Sequence, residues 1–473
     1  MRKHMMKACA MVVTVTLCLA CQKDNTTEFS VLNEVSIKTE KTALEVTQFD
    51  TLKVNPVLTE SMPNGDTFTY QWKMYPYFSD PNAGTIISKE KNLNVQIELP
   101  PNNYYIQYKV TNTKTGVSSF MLYTAVVNGK FYEGWLVSGN KAGKAQFSFI
   151  RSDDALFLSP SEDLYKVTYP GKALSAYTGI GTGLALIYFF TDQGAFRINA
   201  NDFFQLSTTN GILPGAQNFT SNIVYGPNSG LYDQYIIKDG GLYAGFGPAF
   251  YPSEIFNPFS ERFSGDYQLF PGIISSRLNS TFFYDNKYRR FMTSTALTRT
   301  LTVSLGSNTA TYNLGNVGKT MIHMDYGAQA YNQDEFYFLM KDDANARYLY
   351  SLKGTAPGIA QAIGNSPEIE NASSMATSSL LKQMYYATSN KIYLYDILAN
   401  SSRLVYTFPA SHTIADIKML RTTSKRLVVA ANQGANGEVY YFDLDNIGDF
   451  VGNTYAKKFT GFGEIVHLTF RKR

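Results

Sequence analysis

Cysteine, histidine and long apolar runs are scarce in this chain of 473 residues. Its cysteines, Cys9, Cys18 and Cys21, all stand in or beside the opening segment. The body beyond them therefore has no thiol pair for a disulfide and must be held by packing, for which it is long enough. Histidine past that segment is limited to His323, His412 and His467, so the usual general base is scarce. No later stretch approaches 18 apolar residues without a charge, so no bilayer-crossing helix is expected. Charge of one sign is lacking too. Arg2, Lys3 and Lys7 supply three units of the net +4, and the chain without residues 1–20 stands at +1, with no electrostatic reason to bind nucleic acid. Nor does any stretch sustain an apolar period of 3.6, so helix should be sparse. The abundant residues are Tyr (34) and Phe (32), with many Val, Ile and Thr, which suit pleated, half-buried surfaces and predict an all-β protein.

The opening residues decide where the protein resides. Behind the positive start, Ala8 to Ala20 is apolar apart from two threonines. About 13 such residues are too few to cross ~30 Å of hydrocarbon, and the pattern reads as a secretory signal over residues 1–20. Ala20 stands directly before Cys21, and LCLAC resembles a bacterial lipoprotein box, with Cys18 where that box usually has leucine. The resemblance implies cleavage, a diacylglycerol on the Cys21 thiol, and a membrane link through the lipid anchor only. Three acyl chains at ~0.8 kcal/mol per methylene would hold firmly. The following Gln22, Lys23 and Asp24 are similar to the export signal of Bacteroidetes lipoproteins, which implies the outer face of the outer membrane. Residues 21–30 form a polar tether.

Residues 31–129 hold seven strand-like runs. After the Asn64-Gly65 turn signal, Phe68, Tyr70, Trp72 and Met74 point one way and Thr67, Thr69, Gln71 and Lys73 the other. Leu93, Val95 and Ile97 alternate likewise, as do Ile106, Tyr108 and Val110. Such spacing predicts an immunoglobulin-like sandwich. Trp72 could stack on a sugar, but its place on the apolar side of its strand favours the core. YQW at 70–72 and YYIQYKVTN at 104–112 ahead of Gly116 resemble the PKD-like domain of Bacteroidetes lipoproteins.

Residues 130–473 are a repeat. Hairpin-like strand pairs start at Gly134, Leu184, Asp233, Thr281, Glu335, Met384 and Leu427, about 49 residues apart. A unit of that size with four short strands is a propeller blade, and the spacing predicts seven. Apolar leading strands such as TMIHMDY (320–326) and TIADIKML (413–420) precede the later hairpins. The first hairpin has none, whereas EIVHLTF (464–470) is a leading strand with no hairpin after it. The two deficits match, which predicts that the C-terminal strand completes the first blade and closes the ring.

Chemical motifs are few. Overlaying the leading strands brings His323, Asp416 and His467 to one position, which either converges as a zinc site or makes hydrogen bonds between blades, the latter being the expectation. DLDNIGDF (443–450) imitates a calcium loop but has Ile447 at a ligand position and Thr454 where the distal glutamate belongs, so a strand exit is expected. Gly179, Gly181 and Gly183 precede a strand and not a helix, so no dipole awaits a phosphate. No catalytic residue, metal or cofactor is nominated. Residues 246–270 combine Phe246, Phe250, Tyr251, Phe256, Phe259, Phe263, Tyr267 and Phe270 with Pro248, Pro252 and Pro258. This is a candidate contact surface, unless part of it forms an outer strand and the rest packs down.

The whole chain resembles the PKD-like surface lipoproteins that accompany starch-utilisation-type importers. That implies a non-enzymatic accessory subunit binding a glycan or peptide, or scaffolding, beside a TonB-dependent transporter barrel and its lipoprotein lid. The other readings are a secreted propeller hydrolase or lyase acting on glycans, and a structural adhesin.

Overall fold

The computed structural model describes residues 32–179, 185–215, 219–220, 222–228, 233–246, 258–275, 281–295, 299–305, 311–329 and 334–472. Cys21, Gln22, Lys23, Asp24, Gly181, Gly183, Phe250, Tyr251 and Phe256 lie outside these residues, as does the side chain of Phe246. Two compact units divide between Asn128 and Gly129. The structure is nearly all β; among the described residues the one α-helix is Pro160–Tyr165.

In the first unit, a five-stranded sheet runs in the order Ala43–Thr47, Ser118–Asn128, Asn102–Asn112, Phe68–Pro76, Thr85–Ser88. Two further pairs, Val35–Lys38 with Val57–Glu60 and Thr51–Val54 with Leu93–Gln96, complete it. Among the described residues of this unit, nine strands thus stand where alternation marked seven runs. Several of them have only four residues, too few for a period of two to register. The apolar faces meet in one core around Trp72, Leu93, Ile106, Tyr108, Tyr123 and Ala125. Trp72 is fully buried, stacked on Tyr108 at 4.1 Å between ring centres, and its indole N–H donates to the Glu90 carbonyl at 2.9 Å. A buried indole with a satisfied N–H is core, not a sugar platform.

In the second unit the hairpins begin at Gly134, Leu186, Asp233, Thr281, Glu335, Gln383 and Arg426, each in its own sheet, numbered here one to seven in chain order. Inner strands precede five of them: Ala173–Gly179, Ile223–Asn228, Thr320–Tyr326, Ser374–Thr377 and Thr413–Met419. Sheet one takes its inner strand from the far end of the chain. Glu464–Arg471 pairs antiparallel with Gly134–Lys141, with Leu468 opposite Val137 and Phe470 opposite Trp135. Sheet four has a broken leader, in which only Leu269 and Ile274 bridge to Asp285 and Phe282. Pro271 lies between them and has no N–H to give the ladder.

Seven apolar clusters alternate with the seven sheets. Each joins one sheet to the next, and one cluster joins Val428, Val439 and Phe459 of sheet seven to Trp135, Val137, Ile465 and Leu468 of sheet one. A four-stranded sheet alone would expose both faces; flanking sheets remove that exposure.

In the described part of the aromatic segment, the packing-down alternative holds in place of a contact surface. Phe259, Phe263 and Tyr267 are buried and Phe270 is half-buried. Residues 260 and 263 hydrogen-bond along Gly241–Phe246, so an irregular stretch covers the outer edge of sheet three. Phe263 and Tyr267 then fill the space between sheets three and four, and Phe259 fills that between sheets two and three. Proline prevents a ladder there without preventing side-chain burial.

Candidate functional site

The inner strands of sheets one, two, five and seven share a device. In each, the ladder slips by one residue, at Val466, Leu174, Ile322 and Ala415, immediately before His467, Ser175, His323 and Asp416. A bulge re-aims the following side chain, here toward the neighbouring sheet. His323 bonds through Nε2 to the Ala372 carbonyl at 3.0 Å, Ser175 Oγ donates to the Ile223 carbonyl at 3.5 Å, and His467 bonds to the Ala176 backbone. Asp416 joins three sheets. It accepts from Ser374 Oγ of sheet six at 3.0 Å and from the Leu468 N–H of sheet one at 2.9 Å, and it pairs with Lys418 of its own strand at 3.0 Å. Among the described residues no group of three His, Cys, Asp or Glu could hold a metal ion. The overlaid His323, Asp416 and His467 make hydrogen bonds between sheets, each with its own neighbour.

Burial sets their protonation. It drives His467 down to about 4, against the pull of Asp416, and lowers His323 in the same way. Burial pushes Asp416 upward, but Lys418, His467 and the Leu468 N–H together hold it below the ordinary carboxylate value. The row therefore carries neutral imidazoles and an ionised, paired carboxylate at neutral pH.

Two residues further along the same strands, and so on the same face, stand Thr469, Tyr177, Asp325 and Lys418. They line a cavity of about 420 Å³ bounded by inner strands of five sheets and by the broken leader of sheet four. Its apolar wall includes Trp135, Tyr225, Ile273, Met324, Met419 and Phe470. Its charges are cancelled in pairs. Asp325 takes an ion pair from Arg421 and hydrogen bonds from Thr377 N at 2.8 Å and Oγ1 at 3.3 Å. Arg421 also donates to the carbonyls of Thr377, at 2.7 Å, and Tyr326. Burial raises the Tyr326 phenol to about 12, so it stays protonated and donates to the Ile273 carbonyl at 3.1 Å. Gly179, at the end of its strand, has no room for a side chain: a Cβ there would lie 2.9 Å from the Tyr188 ring.

Sequence reasoning missed this lining. Asp325 and Lys418 were reachable as the same-face neighbours of His323 and Asp416, whereas Arg421 lies in the turn after its strand and carries no periodic signal. The acids of residues 443–450 are spent elsewhere. Asp443 pairs with Arg426 at 2.7 Å, Asp449 with Arg403 at 2.8 Å, and Asp445 accepts two backbone N–H groups at 2.9 Å.

Residues 23–176 match the family model described as PKD-like family. The match takes in the sandwich and continues into sheet two. No curated protein matches the chain. Among solved structures, a quinonprotein alcohol dehydrogenase-like protein from Bacteroides thetaiotaomicron is similar at 13% identity and a TM-score of 0.44, over 93% of this chain and 100% of that one. Apo AztD from Citrobacter koseri is similar at 10% identity and 0.39, over 86% and 98%. At those scores neither likeness bears on activity.

Proposed function

We propose that the protein is a non-catalytic surface lipoprotein, an accessory subunit that binds a small ligand in the propeller cavity beside a TonB-dependent importer of the starch-utilisation type. In this reading Cys21 carries the lipid, Gln22, Lys23 and Asp24 direct the protein outward, the PKD-like sandwich is a spacer, and the seven sheets form a ring closed by the C-terminal strand. The observation that carries it is the cavity. Its size falls within the ~300–1,000 Å³ range of small-molecule sites. Its titratable groups are each bound to a partner, with Asp325 on Arg421, Asp416 on Lys418, and His467 on a backbone carbonyl. A general acid or base needs a group free to exchange a proton with substrate, so this arrangement supports binding over turnover.

The test is purification from solubilised outer membrane. The protein is expected to bring down a TonB-dependent barrel and its lipoprotein lid; recovery alone would favour the adhesin reading. Activity on a polysaccharide panel would favour the hydrolase or lyase. Cys21→Ser is expected to abolish lipid labelling, and persistent labelling would remove the anchor from the reading.

A further inference from the structure

The cavity's lining narrows the ligand further, an inference that rests on the binding reading above. Two acids and two bases stand in or beside it as the pairs Asp325–Arg421 and Asp416–Lys418, so their charge sums to zero. A charged ligand would have to displace a counter-ion already seated. A wholly apolar ligand would strip water from donors with hydrogens still to give, since an ammonium has three and a guanidinium five. An extended peptide would need open backbone groups to pair with. On the inner strands around it, the carbonyls of Ala176 and Ile223 and the Leu468 N–H are instead taken by side chains of neighbouring sheets. What remains suitable has no net charge, has apolar faces for Tyr177 and Phe470, and carries hydroxyls that both donate and accept.

We propose that this cavity binds a neutral saccharide of one or two rings, with its ring faces against the aromatic wall and its hydroxyls toward Lys418, Arg421 and Thr178.

The protein contains a built-in reporter. Of its two tryptophans, Trp72 is sealed in the sandwich core and Trp135 lines the cavity. The mature full-length protein is titrated with glucose, galactose, mannose, N-acetylglucosamine and their disaccharides, with glucuronate and galacturonate, and with an N-acetylated, C-amidated dipeptide. Both tryptophan emission and heat are read. At least one neutral saccharide is expected to bind at about millimolar Kd or better, and its uronate counterpart about tenfold more weakly, a difference of about 1.4 kcal/mol. Trp135→Phe should silence the emission change while the heat remains. Asp325→Asn keeps the shape and an acceptor for the Thr377 N–H but leaves Arg421 without its counter-charge. It should move the neutral-to-uronate preference at least about tenfold toward the uronate. The wild-type preference stands as a test even where that variant does not fold. A uronate or the dipeptide binding better than every neutral sugar, no saccharide binding at millimolar concentration, or an unmoved preference in the variant would each overturn the proposal. Such a failure leaves the importer reading standing as a scaffold. Conversely, sugar binding without co-purification keeps the site and removes the importer.

Discussion

Sheets one and four obtain their inner strands in opposite ways. Sheet one draws Glu464–Arg471 from the far end of the chain, yet the strand pairs along its length with Gly134–Lys141. Sheet four has its leader directly upstream, yet only Leu269 and Ile274 bridge to the hairpin. Nearness in sequence lowers the entropy of closing the loop, but only slowly with length. Ladder formation depends on an N–H at every second residue and on apolar side chains for both flanking clusters. EIVHLTF has both, whereas the stretch around Pro271 supplies Leu269 and Ile273 to one cluster and Ile274 to the other but lacks the N–H.

The largest expected effect follows from removing the distant strand. Ile465 and Leu468 are buried, and Val466 and Phe470 pack against the clusters on either side. At ~1.5–3 kcal/mol for each fully buried side chain, the loss rivals a large part of the ~5–15 kcal/mol that keeps a domain folded. Deletion of residues 462–473 should make the propeller aggregate or melt far earlier. The sandwich, which shares no strand with the tail, keeps its own transition. Coincident melts of full-length and truncated protein would mean that the ring closes in some other way or that this is not a closed ring. Next in size, Leu468→Ala keeps the strand and removes one buried side chain between sheets seven and one; chemical denaturation should show a loss of ~2–5 kcal/mol. A loss below ~1 kcal/mol would mean that this interface is not packed as described.

How far these features could be read in advance follows the same physics. The hairpins were legible because runs such as MYYATSNKIYLYDI carry apolar strands on either side of a polar turn, and their starts fall within two residues of those expected. Trp72 was legible because its own strand alternates. The bulges before Ser175, His323, Asp416 and His467 were not, since one extra residue leaves no mark in composition. The cavity was illegible for a related reason: its lining comes from seven separate parts of the chain, none contributing more than four residues. The aromatic run at 246–270 was legible only as two alternatives, contact surface or packing down, because prolines that exclude a ladder do not say which way side chains turn. Phe263 and Tyr267 turn inward from irregular backbone.

A smaller effect separates the two sheets by pH. His467 of the sheet-one strand has a folded pKa of about 4 against an ordinary 6.5. Between those values the unfolded chain binds a proton that the folded one refuses, so stability is whole above about pH 6.5 and declines as pH falls toward 4. The decline is at most roughly 3.5 kcal/mol at ~1.4 kcal/mol per unit. Asp416 acts at lower pH; its depressed pKa adds stability above the ordinary carboxylate value that is lost only as pH falls through the folded one. His467→Gln should reduce the slope between pH 6.5 and 4 measured by denaturation, leaving the share due to His323, which burial shifts in the same direction. An unchanged slope would show that His467 is not buried as a neutral ring.

The smallest effect is expected at Pro271. Were the proline alone holding the sheet-four leader out of the ladder, Pro271→Ala would supply the missing N–H and let the strand form, raising stability. Two other contacts argue against that. The Gly272 N–H already donates to the Phe270 carbonyl at 2.7 Å, turning the chain locally. Met324 of the adjoining inner strand lies so close to Gly272 that a Cβ there would stand 2.2 Å from its sulfur. The bent leader is thus packed as a bend, and the proline mainly restricts the unfolded chain. Pro271→Ala should therefore lower stability by about 0.4–1 kcal/mol. A gain would show that the chain there is a strand held back by one residue, and would make sheet four resemble sheet one.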